Sequence, residues 1–147
     1  MCDIALNLVS GYLIEGVIIA DIMANYELFI ERVKDIHKIG AIQGHLGWDQ
    51  ETIMPAKGGK ARSEIMSWLA KEQHSRITDD GFATMIAELE ADETLDDDQR
   101  ANIREIRRRY DKAVKLPSEF VAEFALARSQ ALVLSLIHIS EPTRRST

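Results

Sequence analysis

From Tyr26 onward, apolar side chains recur at helical spacing: Tyr26, Phe29, Ile30, Val33, Ile36 and Ile39, running into Gly40. Glu27, Glu31, Arg32, Lys34, Asp35 and Lys38 occupy the opposite face. An apolar stripe every three or four residues, backed by charge, predicts an amphipathic helix. Gly40, Gly44 and Gly47 continue it with small residues. Each helical Gly costs about 1 kcal/mol relative to Ala, so the three together predict close backbone packing or a break. Pro55 disfavours helical geometry at Met54, and Pro55 to Gly59 reads as a loop.

The same reading predicts four more helices. A second runs from about Lys60 to Arg76, with Ala61, Ile65, Trp68, Leu69 and Glu72 along one side. Thr78, Asp79 and Asp80 are capping residues for a short third helix whose core face is Phe82, Met85, Ile86 and Leu89. Asp92 to Asp98 is an acidic connector, and Asp96, Asp97 and Asp98 suit the first turn of a fourth helix, where negative charge meets the dipole. Its buried stripe is Ile103, Ile106, Tyr110, Ala113 and Val114, with Lys112 and Lys115 in the last turn. Pro117 opens a fifth, from Ser118, carrying Phe120, Val121, Phe124 and Leu126. Short connections between such helices favour antiparallel neighbours, so the class is all-α, an antiparallel helical bundle.

The two ends depart from this pattern. Residues 1–22 are apolar but interrupted by Asp3, Glu15 and Asp21, and the clean run Val17 to Ala20 is far short of the roughly 20 residues a membrane span needs. No Lys or Arg precedes Arg32, which argues against a secretory signal. Helical periodicity begins just after Met23, so residues 1–22 are expected to be a non-native extension rather than an extra strand or helix. At the other end, Ser135, His138 and Ser140 alternate with Leu136, Ile137 and Ile139 in a way that could pass for a short strand. Leu134 to Arg144 more specifically resembles a one-frame translation of a common transposon-type sequencing adapter. On that expectation residues 134–147 are an adapter-derived tail and His138 carries no meaning.

Composition narrows the function classes. The 147 residues carry 18 basic and 24 acidic side chains, a net charge of -6. An acidic balance disfavours nucleic acid, which needs clustered Lys and Arg. Arg104 and Arg107 to Arg109 are answered by Glu105, Asp111 and the triple Asp, as on a solvated helix face laced with ion pairs. Cys2 is the one cysteine, which excludes an intramolecular disulfide and a Cys-rich zinc module.

The candidate chemistry is thin. None of His37, His45, His74 and His138 is followed by Glu, so the HExxH zinc helix is absent. His45 and Asp49 are four apart and could share a face with His37, which makes a His/His/Asp metal site imaginable, though half-buried helical histidines are the blander account. There is no GxSxG, and Gly58-Gly59-Lys60 is too short for a phosphate loop. The most unusual string is Trp48-Asp49-Gln50-Glu51-Thr52-Ile53-Met54-Pro55. It could line a cleft. The residues alone favour instead a buried, hydrogen-bonded junction in which Trp48 fills space and Asp49 or Glu51 holds backbone amides of the next loop.

Trp48 to Pro55, then Arg100 to Tyr110, then Lys115 to Glu119 with the following helix, stand in an order and spacing that resembles the thermostable, Taq-type metallocarboxypeptidases. The likeness covers about Tyr26 to Ala131, in the N-terminal part of such enzymes. It implies an all-helical, cytoplasmic peptidase with a deep cleft, a homodimer as a whole enzyme, acting on peptide substrates at their C-termini with zinc or another divalent metal. The acidic balance and the short apolar runs already lead to the expectation of no nucleic-acid and no membrane partner. In that chemistry an HExxH helix supplies two ligands at i and i+4, its Glu acts as base, and a further Glu completes the set. Members are several times longer, and none of those residues has a counterpart here. No catalytic or metal residue can be assigned, and no metal is expected on this chain. Trp48, Asp49, Gln50, Glu51 and Thr52 carry over as a family signature of unassigned role. The expectation is residues 23–133 as the helical N-terminal segment of a carboxypeptidase, inactive alone. The rival is a complete, non-catalytic helical interaction module.

Overall fold

The computed structural model describes the backbone of residues 3–140 and the side chains of residues 25–55 and 57–135. The side chains of Cys2 and His138, and residues 141–147, lie outside this description. Five α-helices and a short 3-10 turn make up the described residues, with no strand among them: α1 Asp3–Thr52, the turn Ala56–Gly58, α2 Gly59–Ile77, α3 Asp80–Glu90, α4 Asp97–Ala113 and α5 Ser118–Ser140. The alternation of Ser135, His138 and Ser140 therefore lies on helical backbone, not on a strand. Neither is α1 broken at its glycines. Gly40 is the one of the three where packing is close: a Cβ there would sit 2.9 Å from Gln73 Nε2, which itself donates to the Ile36 carbonyl.

Helix ends are set by the residues that cap them. Asp79 caps α3 by accepting from the Phe82 N–H at 3.0 Å, with Thr78 and Asp80 on either side. Asp96 and Gln99 form a reciprocal capping box on α4, satisfying two backbone donors that have no partner within the helix, while Asp97 and Asp98 occupy its first turn.

The core joins α1, α3 and α4. Phe29 and Ile36 of α1 meet Phe82, Ile86 and Leu89 of α3, Leu95 of the connector, and Ile103 and Ile106 of α4. Phe29 and Phe82 stack with centroids 5.8 Å apart. Each large apolar side chain fully buried contributes about 1.5–3 kcal/mol, which is why the periodic stripes of α1, α3 and α4 face one another. Val114 is the exception: at the C-cap of α4 it is exposed rather than part of the stripe.

Side-chain contacts fix the directions of the other helices. From α2 to α5 the pairs are Ser63 with Ser129, Ser67 with Ala122, Lys71 with Glu119 and His74 with Ser118, one number rising as the other falls, so the two are antiparallel. Between α1 and α2, Leu46 with Arg62 and Ile36 with Gln73 give the same sense. Tyr26 with Asn102 and His37 with Arg109 make α4 parallel to α1.

The α2–α5 contact is not the one the apolar pattern predicts. The buried side of α2 is Gly59, Ser63, Leu69, Ala70 and His74, whereas Ala61, Ile65 and Trp68 are exposed. Phe120 and Phe124 of α5 are exposed too, while Ser129 is buried. Small side chains win this interface because they let the backbones approach closely. A Cβ on Gly59 would lie 3.0 Å from a Val133 methyl.

A cleft beside the Trp48 motif

The last turns of α1 carry Trp48 to Thr52 to the junction with α2 and α5. Alternate members of the motif do different work there. Asp49 accepts a hydrogen bond from Arg62, whose guanidinium also donates to the Leu46 carbonyl, so one Arg of α2 clamps the end of α1. Gln50 is 3% exposed. Its Nε2 donates to the Ser129 carbonyl at 2.9 Å, and its Oε1 accepts from Ser129 Oγ at 3.0 Å. Ser63 Oγ lies 3.0 Å from Ser129 Oγ and 2.9 Å from the Gly59 carbonyl, so its single proton is shared between the two. This polar node ties three helices together, and no buried side-chain N or O among the described residues is left without a partner. Thr52 Oγ1 returns to the Trp48 carbonyl at 2.8 Å, a local bond that satisfies the helix end.

Trp48 itself is 64% exposed. It does not fill the junction, and it is Gln50 and Arg62, rather than Asp49 or Glu51 on loop amides, that hold the junction together. Trp48 stands at the wall of a cleft of about 1080 Å³ lined mainly by α1, α2, α4 and α5, with Phe82 of α3. Most of the lining is apolar, with Glu51, Arg109, Lys112 and Arg128 as its formal charges. The lining reading and the junction reading thus each apply to part of the motif.

His74 sits deeper in the same cleft. Its Nε2 lies 3.0 Å from the Ala113 carbonyl and so donates to it, while Nδ1 pairs with Ser118 Oγ at 3.0 Å. One imidazole thereby ties α2 to both ends of the α4–α5 turn.

The other histidines do not converge. His37 Nε2 accepts from Arg109 at 3.0 Å, His45 Nδ1 donates to the Ala41 carbonyl at 2.8 Å, and Asp49 is held by Arg62. No group of three or more His, Cys, Asp or Glu among the described residues could hold a metal ion, so His37, His45 and Asp49 do not form the site their spacing allows. The described residues do not fit a catalytic divalent ion, which needs three or four convergent donors. Arg107 to Arg109 form ion pairs with Glu90, Glu105 and Asp111, the laced surface their pattern predicts. None of the described helices is long and apolar enough to cross a membrane.

The sequence pattern did not reveal Arg62, Ser63 and Ser129, nor the cleft residues Arg109, Lys112 and Arg128. Ser63 and Ala70 on α2, with Ala122, Ala125 and Ser129 on α5, fall at helical spacing and were the available signal for two closely approaching helices.

Fold and cleft together define an all-helical chain that presents a broad apolar cleft and no metal-binding set of its own among the described residues. The family model for the carboxypeptidase Taq (M32) metallopeptidases matches residues 28–133, and the chain belongs to that family. It is 30% identical over 111 residues to thermostable carboxypeptidase 1 of Thermus thermophilus, covering 74% of this chain and 22% of that protein. It is 29% identical over 102 residues to thermostable carboxypeptidase 1 of Pyrococcus furiosus, covering 69% of this chain and 20% of that protein. The chain thus spans about a fifth of the length of the curated relatives it matches. No solved structure matches it.

Proposed function

We propose that this chain is the N-terminal helical segment of a metal-dependent carboxypeptidase that releases C-terminal amino acids from peptides, and that the segment alone is inactive. Membership of a metallopeptidase family carries the first half. The second half rests on donor chemistry. The sequence contains no HExxH, and the described residues offer no set of three metal-holding side chains. In the whole enzyme, zinc or another divalent ion would supply the Lewis acid and the activated water, held by residues outside this chain. The role left to α1, α2, α4 and α5 is to wall a cleft and hold its shape, through the Gln50–Ser129–Ser63 node and the Arg62 clamp. The whole enzyme is proposed to be a cytoplasmic homodimer. Residues 23–133 are taken as its sequence, with 1–22 and 134–147 foreign to it.

The test is direct. Purified chain is incubated with Zn²⁺ or Co²⁺ and an N-blocked dipeptide, and release of the C-terminal amino acid is followed. No release is expected. Turnover that a chelator abolishes would overturn the assignment of the catalytic core to sequence outside this chain.

A further inference from the structure

The cleft combines three properties that point to one kind of occupant. Its walls are apolar and uncovered: Trp48 is 64% exposed and Phe124 61%. Its formal charges are three cations, Arg109, Lys112 and Arg128, against the single acid Glu51, on a chain whose net charge is -6. Among the described residues, neither Lys112 nor Arg128 has a carboxylate within 4.0 Å, and Arg109 reaches only Glu105 on its own helix, at 3.4 Å. Finally, Gly44 and Gly47 line it, and a Cβ at either would meet nothing within 4 Å. Two helical glycines that no neighbour among the described residues requires leave a low floor against which another backbone can lie.

We propose that this cleft is a docking groove for an amphipathic helix whose apolar face is flanked by Asp and Glu. The helix is supplied by the part of a family-length polypeptide outside this chain, which in the matched relatives is about four-fifths of the whole. That source rests on the reading proposed above. The chemistry of the groove does not. Apolar anchors at i, i+3, i+4 and i+7 fill the space between Trp48 and Phe124, and the flanking carboxylates pair with Lys112 and Arg128, which no carboxylate among the described residues answers, and with the Arg109 guanidinium that Glu105 engages from one side. A basic helix with the same apolar face would place like charges together, which the groove discriminates against.

The experiment uses the full chain carrying Trp68→Phe, which leaves Trp48 as the single tryptophan of the two. Two synthetic helical peptides share one Leu face, one flanked by Glu and the other by Lys. Titration with the Glu peptide should shift Trp48 emission to the blue and give affinity about tenfold or more above that for the Lys peptide, the difference shrinking as salt is raised. Gly47→Leu should abolish the shift, since its Cβ enters open space on the cleft lining, the larger side chain occupies the groove, and helix propensity improves. Combined Arg109→Glu, Lys112→Glu and Arg128→Glu should reverse the preference. Equal affinity for both peptides, no binding of either, unchanged emission, or a preference that survives the charge reversal would each overturn the proposal. Metal-dependent turnover by the chain alone would defeat the functional assignment without altering this titration, so the two can fail separately.

Discussion

Gln50 and Ser129, 79 positions apart in sequence, exchange two hydrogen bonds inside the protein: amide N–H to carbonyl at 2.9 Å and hydroxyl to amide oxygen at 3.0 Å. Both residues are buried. A buried polar group whose partner is removed bears its full desolvation cost, whereas removing both partners together is far milder. Gln50→Leu should therefore destabilise the chain by about 1–3 kcal/mol, and Ser129→Ala by a similar amount. The double variant should lose clearly less than the sum of the two. Urea unfolding of the four members of this cycle measures it, and strict additivity would show that the pair is not coupled.

The placement of apolar groups on α2 leads to an unusual mutational profile. Ile103 of α4 is 2% exposed, while Ile65 and Trp68 of α2 are 45% and 64% exposed. Ile103→Ala should cost about 2–5 kcal/mol, through lost burial and the cavity left behind. Ile65→Ala and Trp68→Ala should fall within about 0.5 kcal/mol of the parent chain, because they remove contacts mainly with water. Midpoint shifts in urea report all three. A large loss at Trp68 would mean that this face is covered in solution.

Exposed Trp48, Phe124 and Phe120 form a surface that a closed interaction module would have no reason to display. A solvatochromic hydrophobic dye should bind the chain while its helical signal is intact, and Trp48→Ala with Phe124→Ala should remove most of the emission without loss of helicity. Dye binding that persists unchanged in the double variant would place the apolar surface elsewhere. Absence of dye binding in the parent chain would support the complete-module reading.

How much of this was legible in the sequence differs from helix to helix. In α1, α3 and α4 one face is apolar and the other charged, so Phe29, Ile36, Phe82, Ile86, Ile103 and Ile106 announce their burial by spacing alone. In α2 and α5 apolar residues occur all round, and periodicity could not say which side turns inward. Backbone approach decided it, favouring Gly59, Ser63, Ala70 and Ser129 over Ile65, Trp68 and Phe124. The Trp48 motif was conspicuous as a string, but its division of labour depends on residues 13 and 79 positions away, Arg62 and Ser129. A long-range pairing of that kind has no local signature. The glycines predict close packing or a break, which holds at Gly40 alone; Gly44 and Gly47 line the cleft, where a Cβ would meet nothing within 4 Å.

His45 tests whether helical spacing alone makes a metal site here. Its Nδ1 donates to the Ala41 carbonyl, and Asp49 is engaged by Arg62, so neither is arranged for a shared ion. Calorimetric titration with Zn²⁺ should show no saturable one-to-one uptake, and His45→Ala should leave the isotherm unchanged. Stoichiometric binding that His45→Ala abolishes would require His37, His45 and Asp49 to converge after all.

Glu119, in the first turn of α5, offers the clearest acid-linked test. Its own backbone N–H, then the hydrogen bond and charge of Lys71, and more weakly the charge of His74, hold its carboxyl below the ordinary 4.5, outweighing a small opposing effect of burial. Because the folded-state value is the lower one, the ionised carboxylate stabilises the fold fully above the unfolded-state value. That contribution fades as pH falls below 4.5 and is gone once the pH has passed the lowered value. The side chain is 72% exposed, so the effect on global stability is small and screened by salt. Site-specific NMR titration of the Glu119 carboxyl carbon is therefore the measurement. The parent chain should titrate below 4.5. Lys71→Ala should move the value only part of the way back, since the backbone N–H remains, and added salt should shift the parent more than the variant. A parent value at or above 4.5 would show that the α2–α5 latch formed by Lys71 and Glu119 is not populated in solution.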